Sequence, residues 1–225
     1  MNFYRGDTLQ SLRSQIADKS INLIYINPPF GTTRNAWDEK QDWVALFDEF
    51  FRVLKDDGML VIHCSIPFNY QLIRASPKPP AYSWYWIKEG PTCPLLANHQ
   101  PLRCTEEILV WKKKTNTYYR QQIGTELRVS KTMTPNGYYG NVEKSKKTIM
   151  VGKTRTHLLD MKRNVDRFST RPDEMIRLML DTYSKAGDVV LDCFCNDGRV
   201  GLLCKDRKFI GIDKYHWPVK WFYSW

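Results

Sequence analysis

Residues 22–30 read Asn22-Leu23-Ile24-Tyr25-Ile26-Asn27-Pro28-Pro29-Phe30. The apolar run at 23–26 predicts a short buried strand, and Asn27-Pro28-Pro29-Phe30 stops it. Each proline fixes φ and lacks an N–H, so neither strand nor helix continues, and the turn's carbonyls have no local donor. A carboxamide, two proline carbonyls and an aromatic face at a strand's C-terminal end suit a flat ring bearing an amino group. The amino hydrogens meet the Asn27 carbonyl and a proline carbonyl while Phe30 covers the ring. Acceptors set out of the ring plane draw the nitrogen toward tetrahedral geometry and return its lone pair for attack on an electrophilic methyl. The plainer reading is a rigid Pro-Pro turn, and four residues taken alone carry both.

A second unit lies at the other end of the chain. Val189-Val190-Leu191-Asp192 predicts a buried strand, Cys193 to Gly198 a loop, Val200 to Cys204 a short helix, and Phe209-Ile210-Gly211-Ile212-Asp213 another strand. Asp213 follows Asp192 by 21 residues, the offset at which an acid ending the second strand of a nucleotide-binding unit accepts hydrogen bonds from ribose hydroxyls. The loop has Gly198 and Gly201 but no GxGxxG, which argues against a dinucleotide and allows a nucleoside cofactor without phosphates.

At 225 residues the chain suits one α/β domain with an insertion. No run approaches the roughly 18 apolar residues of a membrane span, and the first residues lack a signal-peptide core, so a soluble, intracellular protein is expected. The six cysteines lack paired CxxC spacing. Reduced, buried thiols are expected rather than a zinc site, although Cys193, Cys195 and Cys204 stand close enough in sequence to be weighed as ligands. The net charge of +10 is concentrated: residues 112–167 carry 14 Lys and Arg against 4 Asp and Glu, which leaves 20 against 20 elsewhere. Such an insert reads either as a polyanion-binding arm, with Tyr118, Tyr119, Tyr138 and Tyr139 available for stacking, or as a solvated lysine-rich loop. It shows no clear apolar periodicity, and a stretch so long without regular structure is usually functional or disordered.

Between these units, Leu12 and Ile16 predict a helix ahead of the first strand, and Asp7 stands where it would either cap that helix or meet a cofactor's base. Trp43, Leu46, Phe47, Phe50, Phe51 and Leu54 recur at helical spacing as a core-facing stripe. Strands are expected at 59–64, 82–87 and 106–111, with a helix near 67–75. The aromatic run Tyr82-Ser83-Trp84-Tyr85-Trp86 fits a core strand better than a stacking platform. Ser169 or Thr170 caps a further helix with Pro172 in its first turn.

Taken in order, these pieces resemble the S-adenosylmethionine-dependent DNA amino-methyltransferases, adenine-N6 and cytosine-N4, of the β-ordered group in which the catalytic motif precedes the cofactor motif. The resemblance runs through Gly6-Asp7, Asn27-Pro28-Pro29-Phe30, Gly31-Thr32-Thr33 with Trp37-Asp38, and Pro101-Leu102-Arg103 before Glu107-Ile108-Leu109-Val110. Thr170-Arg171-Pro172, Val190-Leu191-Asp192-Cys193-Phe194 and Phe209-Ile210-Gly211-Ile212-Asp213 complete it. It implies an α/β, Rossmann-like methyltransferase fold: a mostly parallel seven-stranded sheet flanked by helices, made of residues 1–111 and 168–225, with 112–167 as a basic target-recognition insert. Asn27, Pro28, Pro29 and Phe30 would be catalytic. Asp192, Phe194, Asn196, Gly198 and Asp213 would line the pocket for S-adenosylmethionine, with Thr170, Arg171 and Pro172 beside its methionine part and Asp7 near its adenine. The implied partner is double-stranded DNA, from which a base is flipped; homodimers are frequent in that group, and no metal is implied.

Three departures stand out. The family usually has Asp-Pro-Pro-Tyr, and here Asn27 and Phe30 take the outer positions. Its cofactor loop usually reads Phe-x-Gly-Ser-Gly-Thr, and here Phe194-Cys195-Asn196-Asp197-Gly198-Arg199 puts a side chain at the first glycine. Twelve residues follow Asp213, so a short or missing closing helix is expected. Adenine N6 is the expected target, because cytosine-N4 members more often show Ser before the prolines. The rivals are a cytosine-N4 enzyme, a DNA-binding pseudoenzyme that lost the cofactor, and a methyltransferase acting on RNA or protein glutamine.

Overall fold

The computed structural model describes residues 1–92, 94–130, 148–161 and 171–215. The chain begins with β1 (Asn2–Arg5), α1 (Thr8–Gln15), β2 (Ile21–Ile26), α2 (Trp43–Val53) and β3 (Leu54–Cys64). Then come α3 (Phe68–Ala75), β4 (Tyr82–Thr92), β5 (Arg103–Lys112), β6 (Gln122–Ser130), β7 (Thr148–Thr154) and β8 (Leu158–Asp160). It continues with α4 (Asp173–Tyr183), β9 (Val189–Asp192), α5 (Arg199–Leu203) and β10 (Lys208–Asp213).

Two compact units emerge, Met1–Tyr119 with His157–Trp225, and Arg120–Thr156. In the larger unit eight strands form one sheet in the order β1-β10-β9-β2-β3-β5-β4-β8. Strands β1, β10, β9, β2 and β3 run parallel, β5 is antiparallel to both β3 and β4, and β8 lies parallel to β4. The expected sheet had seven strands. The eighth escapes notice because β1 is a four-residue edge and β8 has three residues, too short for either to show a period.

Strand β2 is buried on both faces, which is why its sequence is a continuous apolar run rather than an alternation. Leu23 and Tyr25 belong to one core cluster, with Met175, Met179 and Tyr183 of α4. Ile24 and Ile26 belong to the other, with Leu12 of α1 and Phe47 and Phe50 of α2. Helix α2 forms where predicted: Asp42 caps it by accepting from the Ala45 N–H at 3.1 Å, and Trp43, Leu46, Phe47, Phe50 and Val53 are buried. Burying each of those two phenylalanines contributes about 2–3 kcal/mol. Leu54, the last residue of the predicted stripe, already opens β3.

From β2 the chain passes through α2 to β3 on one side; from β9 it passes through α5 to β10 on the other. Neighbouring strands that hand the chain off in opposite directions leave a crevice beyond their carboxyl ends, the place where open α/β sheets bind ligands. Here those ends lead into Asn27 and finish at Asp192.

The smaller unit holds β6 and β7, paired antiparallel. The basic stretch that shows no periodicity therefore contains regular structure, and its compact part is narrower than residues 112–167. Lys113 and Lys114 belong to the larger unit, where the Lys113 ammonium donates to the Leu54 carbonyl at 2.6 Å and Lys114 pairs with Asp56 at 2.9 Å. Arg120–Thr156 still carries 8 Lys and Arg against 2 Asp and Glu. Tyr138, Tyr139, Ser169 and Thr170 lie outside the described residues.

Candidate active site

A cavity of about 530 Å³ opens at the carboxyl ends of β2 and β9, within the size range of small-molecule and cofactor pockets. Asn27, Pro28, Pro29 and Phe30 border it from one side; Asp192, Phe194, Asn196 and Asp213 border it from the other, with Asp7 and Arg171 also on its wall. Two stretches separated by more than 160 residues of sequence thus share one space. Among the described residues, the Asn27 carboxamide has no hydrogen-bond partner, so its carbonyl is available to a ligand.

The proline turn is held from outside. Phe30 stacks on Phe68 with centroids 4.8 Å apart, Phe68 meets the edge of Trp43 at 5.2 Å, and Trp43 lies 6.2 Å from Phe194. This aromatic chain ties the Asn27 turn to the Asp192 loop. Beyond Phe30, the backbone N–H groups of Gly31, Thr32 and Thr33 donate to the Asp38 carboxylate at 2.7, 2.9 and 2.6 Å. Burial works to raise the Asp38 pKa, but hydrogen bonds from Thr33, Gly31 and Thr32 outweigh it and hold the carboxyl below its usual range. Three successive N–H groups converging on an anion make a nest, and here it fixes the loop that carries Trp37 on the cavity wall.

On the opposite side, Asn196 adopts φ +46°, the left-handed region where the family pattern has glycine. Asparagine tolerates that region better than most residues, so the departure keeps the turn. Its N–H donates to the Asp213 carboxylate at 2.8 Å, and the Tyr215 N–H donates to the same carboxylate at 2.9 Å. An ionised carboxylate only accepts, which suits Asp213 to a hydroxyl. Gly198 does not line the cavity: at φ +74° it turns the chain into α5. Gly201 lets α5 lie against β10, since an added Cβ would come within 2.7 Å of the Phe209 ring. Pro172 is also off the wall; it precedes the first residue of α4, and its carbonyl accepts the Ile176 N–H at 3.2 Å. Asp7 caps α1, accepting from the Gln10 N–H at 2.9 Å, and also borders the cavity.

Asp192, Asp197 and Asp213 gather on this side of the cavity, and its two cations, Arg199 and Lys214, pair with Asp173 and Glu39. Burial, reinforced by Asp213 and Asp197 against a hydrogen bond from the Phe194 N–H, pushes the Asp192 carboxyl up to about 8. A cationic ligand relieves that crowding. The donor set therefore fits a nucleoside with a positively charged tail: a ribose acceptor at Asp213, acids for a cation, and room for an adenine.

Sequence reading misses the site role of the wall residue Tyr25 and the polar row behind it. Tyr25 precedes Asn27 by two positions, and its hydroxyl lies 2.7 Å from Nε2 of His63, whose Nδ1 lies 2.8 Å from Glu106. Arg171 donates to the same Glu106 oxygen at 2.8 and 3.1 Å, and Lys88 pairs with the other at 3.2 Å. The one sequence signal is a histidine inside the apolar run 59–64. Cys64, Cys193, Cys195 and Cys204 are buried and Cys104 is exposed, all as free thiols. Among the described residues, no helix is long and apolar enough to cross a membrane.

Known proteins resemble the chain in sequence and in fold. A type II methyltransferase, M.XycI of Xanthomonas campestris pv. cyanopsidis, is 24% identical over 93% of this chain and 82% of its own. Two solved structures share the fold at a TM-score of 0.63. PvuII DNA methyltransferase (cytosine-N4-specific) is 16% identical over 94% of this chain and 81% of its own. TTHA0409 from Thermus thermophilus, complexed with S-adenosyl-L-methionine, is 19% identical over 94% and 87%. A family model described as DNA methylase matches residues 21–220, and the chain is a member of that N6/N4 DNA methylase family.

Proposed function

We propose that the protein transfers a methyl group from S-adenosylmethionine to the exocyclic amino group of a base flipped out of double-stranded DNA, with adenine N6 as the target. The observation that carries the reading is the shared cavity, which brings the unpartnered Asn27 carboxamide and the Asp213 carboxylate to one space. S-adenosylmethionine supplies an electrophilic sulfonium methyl. Asp213 would hold its ribose, Asp192 and Asp197 its charge, and Arg171, with Thr170, its amino-acid end.

The chain's own work is orientation. Asn27 and the proline carbonyls accept the two amino hydrogens and fix the nitrogen's lone pair toward the methyl; Phe30, backed by Phe68, presents its other face to the base. No base need deprotonate the amine beforehand, because its proton becomes acidic once the nitrogen is alkylated. Residues 112–167 supply the charge for binding phosphates. An amide at position 27, where cytosine-N4 members more often have Ser, supports adenine; the likeness to a cytosine-N4-specific enzyme supports cytosine N4 as the second reading.

Mass spectrometry of nucleosides from duplex DNA incubated with protein and S-adenosylmethionine tests both. N6-methyladenine is expected; N4-methylcytosine overturns the adenine assignment, and the absence of either overturns the activity.

A further inference from the structure

We propose that Tyr25 is a further catalytic residue: its oxygen takes the proton shed by the methylated amine while its own hydroxyl proton passes to His63. The inference rests on reading the cavity as a methyl-transfer site, and adds to that reading the route by which the reaction's proton leaves.

Tyr25 and Asn27 border the same cavity. Tyr25, His63 and Glu106, from β2, β3 and β5, form one hydrogen-bonded row with exposures of 2%, 0% and 4%. Its polarity is set from the far end. Burial alone would raise the Glu106 pKa, but the charge of Arg171, the hydrogen bond to His63 and the charge of Lys88 hold this carboxyl well below its usual range. An ionised carboxylate only accepts, so His63 Nδ1 carries a hydrogen and donates it. Burial, with help from Arg171 and Lys88 and against the pull of Glu106, keeps His63 below 6.5. The imidazole is then neutral at pH 7, its Nε2 is a bare acceptor, and the Tyr25 O–H must donate to it. The Tyr25 oxygen keeps its lone pairs for an N–H in the cavity. Burial, against the charge of Arg171 and with those of Asp192 from β9 and Glu106, disfavours a phenolate at Tyr25.

The step balances without any further reactant. As the methyl carbon changes partners from sulfur to nitrogen, the amine gains a positive charge. One of its two N–H groups then turns from its carbonyl acceptor and breaks toward the Tyr25 oxygen, the Tyr25 O–H bond breaks toward His63 Nε2, and the imidazolium formed is paired with Glu106. Tyr25 is neutral before and after. His63 returns the proton to the Tyr25 oxygen as Tyr25 gives its own to water once the product has left.

The test is single-turnover transfer at saturating S-adenosylmethionine across pH 5 to 9, on the wild type, Tyr25→Phe and His63→Gln, beside calorimetric cofactor affinity and ¹⁵N NMR of His63. The wild-type rate should hold at neutral pH and fall on the acid side, at a pH lower than an ordinary histidine would give, where His63 arrives already protonated. Tyr25→Phe should be about tenfold slower or worse, without that acid limb, at unchanged cofactor affinity. His63 should titrate below 6.5 as the Nδ1–H tautomer. Should Tyr25→Phe fail to fold, His63→Gln carries the comparison, because it too removes the acid limb.

A wild-type rate and pH profile in the variants overturns the proposal, as does a cationic His63 at pH 7. Loss of cofactor affinity with the saturated rate intact also overturns it, assigning Tyr25 to the cofactor instead. A wild type that methylates no DNA defeats the parent reading, and is distinguishable because the NMR tautomer is measured without any reaction.

Discussion

Ile24 and Leu191 are register partners in the adjacent parallel strands β2 and β9. Because parallel partners advance together, the residues that end the two strands, Ile26 and Asp192, emerge on the same edge of the sheet. The proposed chemistry depends on this one pairing, which sets the turn assigned to the amine beside the loop assigned to the nucleoside. Each of the following outcomes probes a different part of that arrangement.

Asp38 fixes the loop after the proline turn through three backbone N–H groups. Asp38→Ala leaves those donors unpaired and should cost about 1–3 kcal/mol in a urea melt. Transfer should slow by at least tenfold, roughly, as the loop loses its geometry. The sign follows from a lowered folded pKa: Asp38 stabilises the protein above its unfolded value of 3.8, and that contribution is lost as pH falls through the lower folded value.

Asp192 behaves oppositely. Its carboxyl is raised from 3.8 to about 8, so the folded protein without ligand holds a proton that the unfolded chain releases, and this residue's contribution to stability declines as pH rises from 3.8 toward 8. A cationic cofactor favours the ionised form. Affinity for S-adenosylmethionine, measured by calorimetry, should therefore rise with pH and level off above about 8, with proton release visible as buffer-dependent heat. Asp192→Asn should bind more weakly and flatten the profile.

Asn196 occupies a left-handed position. Asn196→Gly should keep or slightly raise the melting temperature and leave cofactor binding intact. Asn196→Ala should destabilise by about 1–2 kcal/mol, the cost of a side chain with no local hydrogen bond in that conformation. Equal stability of the two variants would show that the turn is not what Asn196 supplies.

Parts of this are legible in the sequence for a physical reason. The runs at 23–26 and 189–192 are buried on both faces, so burial alone writes them as apolar, and the prolines and Asp192 mark their ends chemically. Helix α2 is legible because its stripe repeats for three turns. The edge strand β1 is not, since Asn2-Phe3-Tyr4-Arg5 is too short and polar to show a period. The row Tyr25-His63-Glu106 is hidden for another reason: it crosses three strands, and cross-strand neighbours follow from strand order and register, which single-strand patterns do not encode. Asn196 looks like damage to a glycine loop, and becomes a substitute only once its φ is known.

The basic segment should make DNA affinity steeply salt-dependent. Replacing four of the 8 Lys and Arg within Arg120–Thr156 by Gln should lower affinity at low salt. It should also reduce the slope of log K against log salt, by about 0.9 for each phosphate no longer neutralised. Fluorescence anisotropy with a duplex of any sequence reads this. An unchanged slope would remove the segment from the DNA-binding surface.

The central claim is that one cavity serves both the cofactor and the amine, with Asn27 acting on the amine. It is tested most directly by following tritium from labelled S-adenosylmethionine into duplex DNA with wild type and Asn27→Ala, while measuring cofactor affinity for each. The account predicts that both bind the cofactor alike and that Asn27→Ala transfers about a hundredfold more slowly or worse. Transfer by Asn27→Ala at the wild-type rate would contradict it.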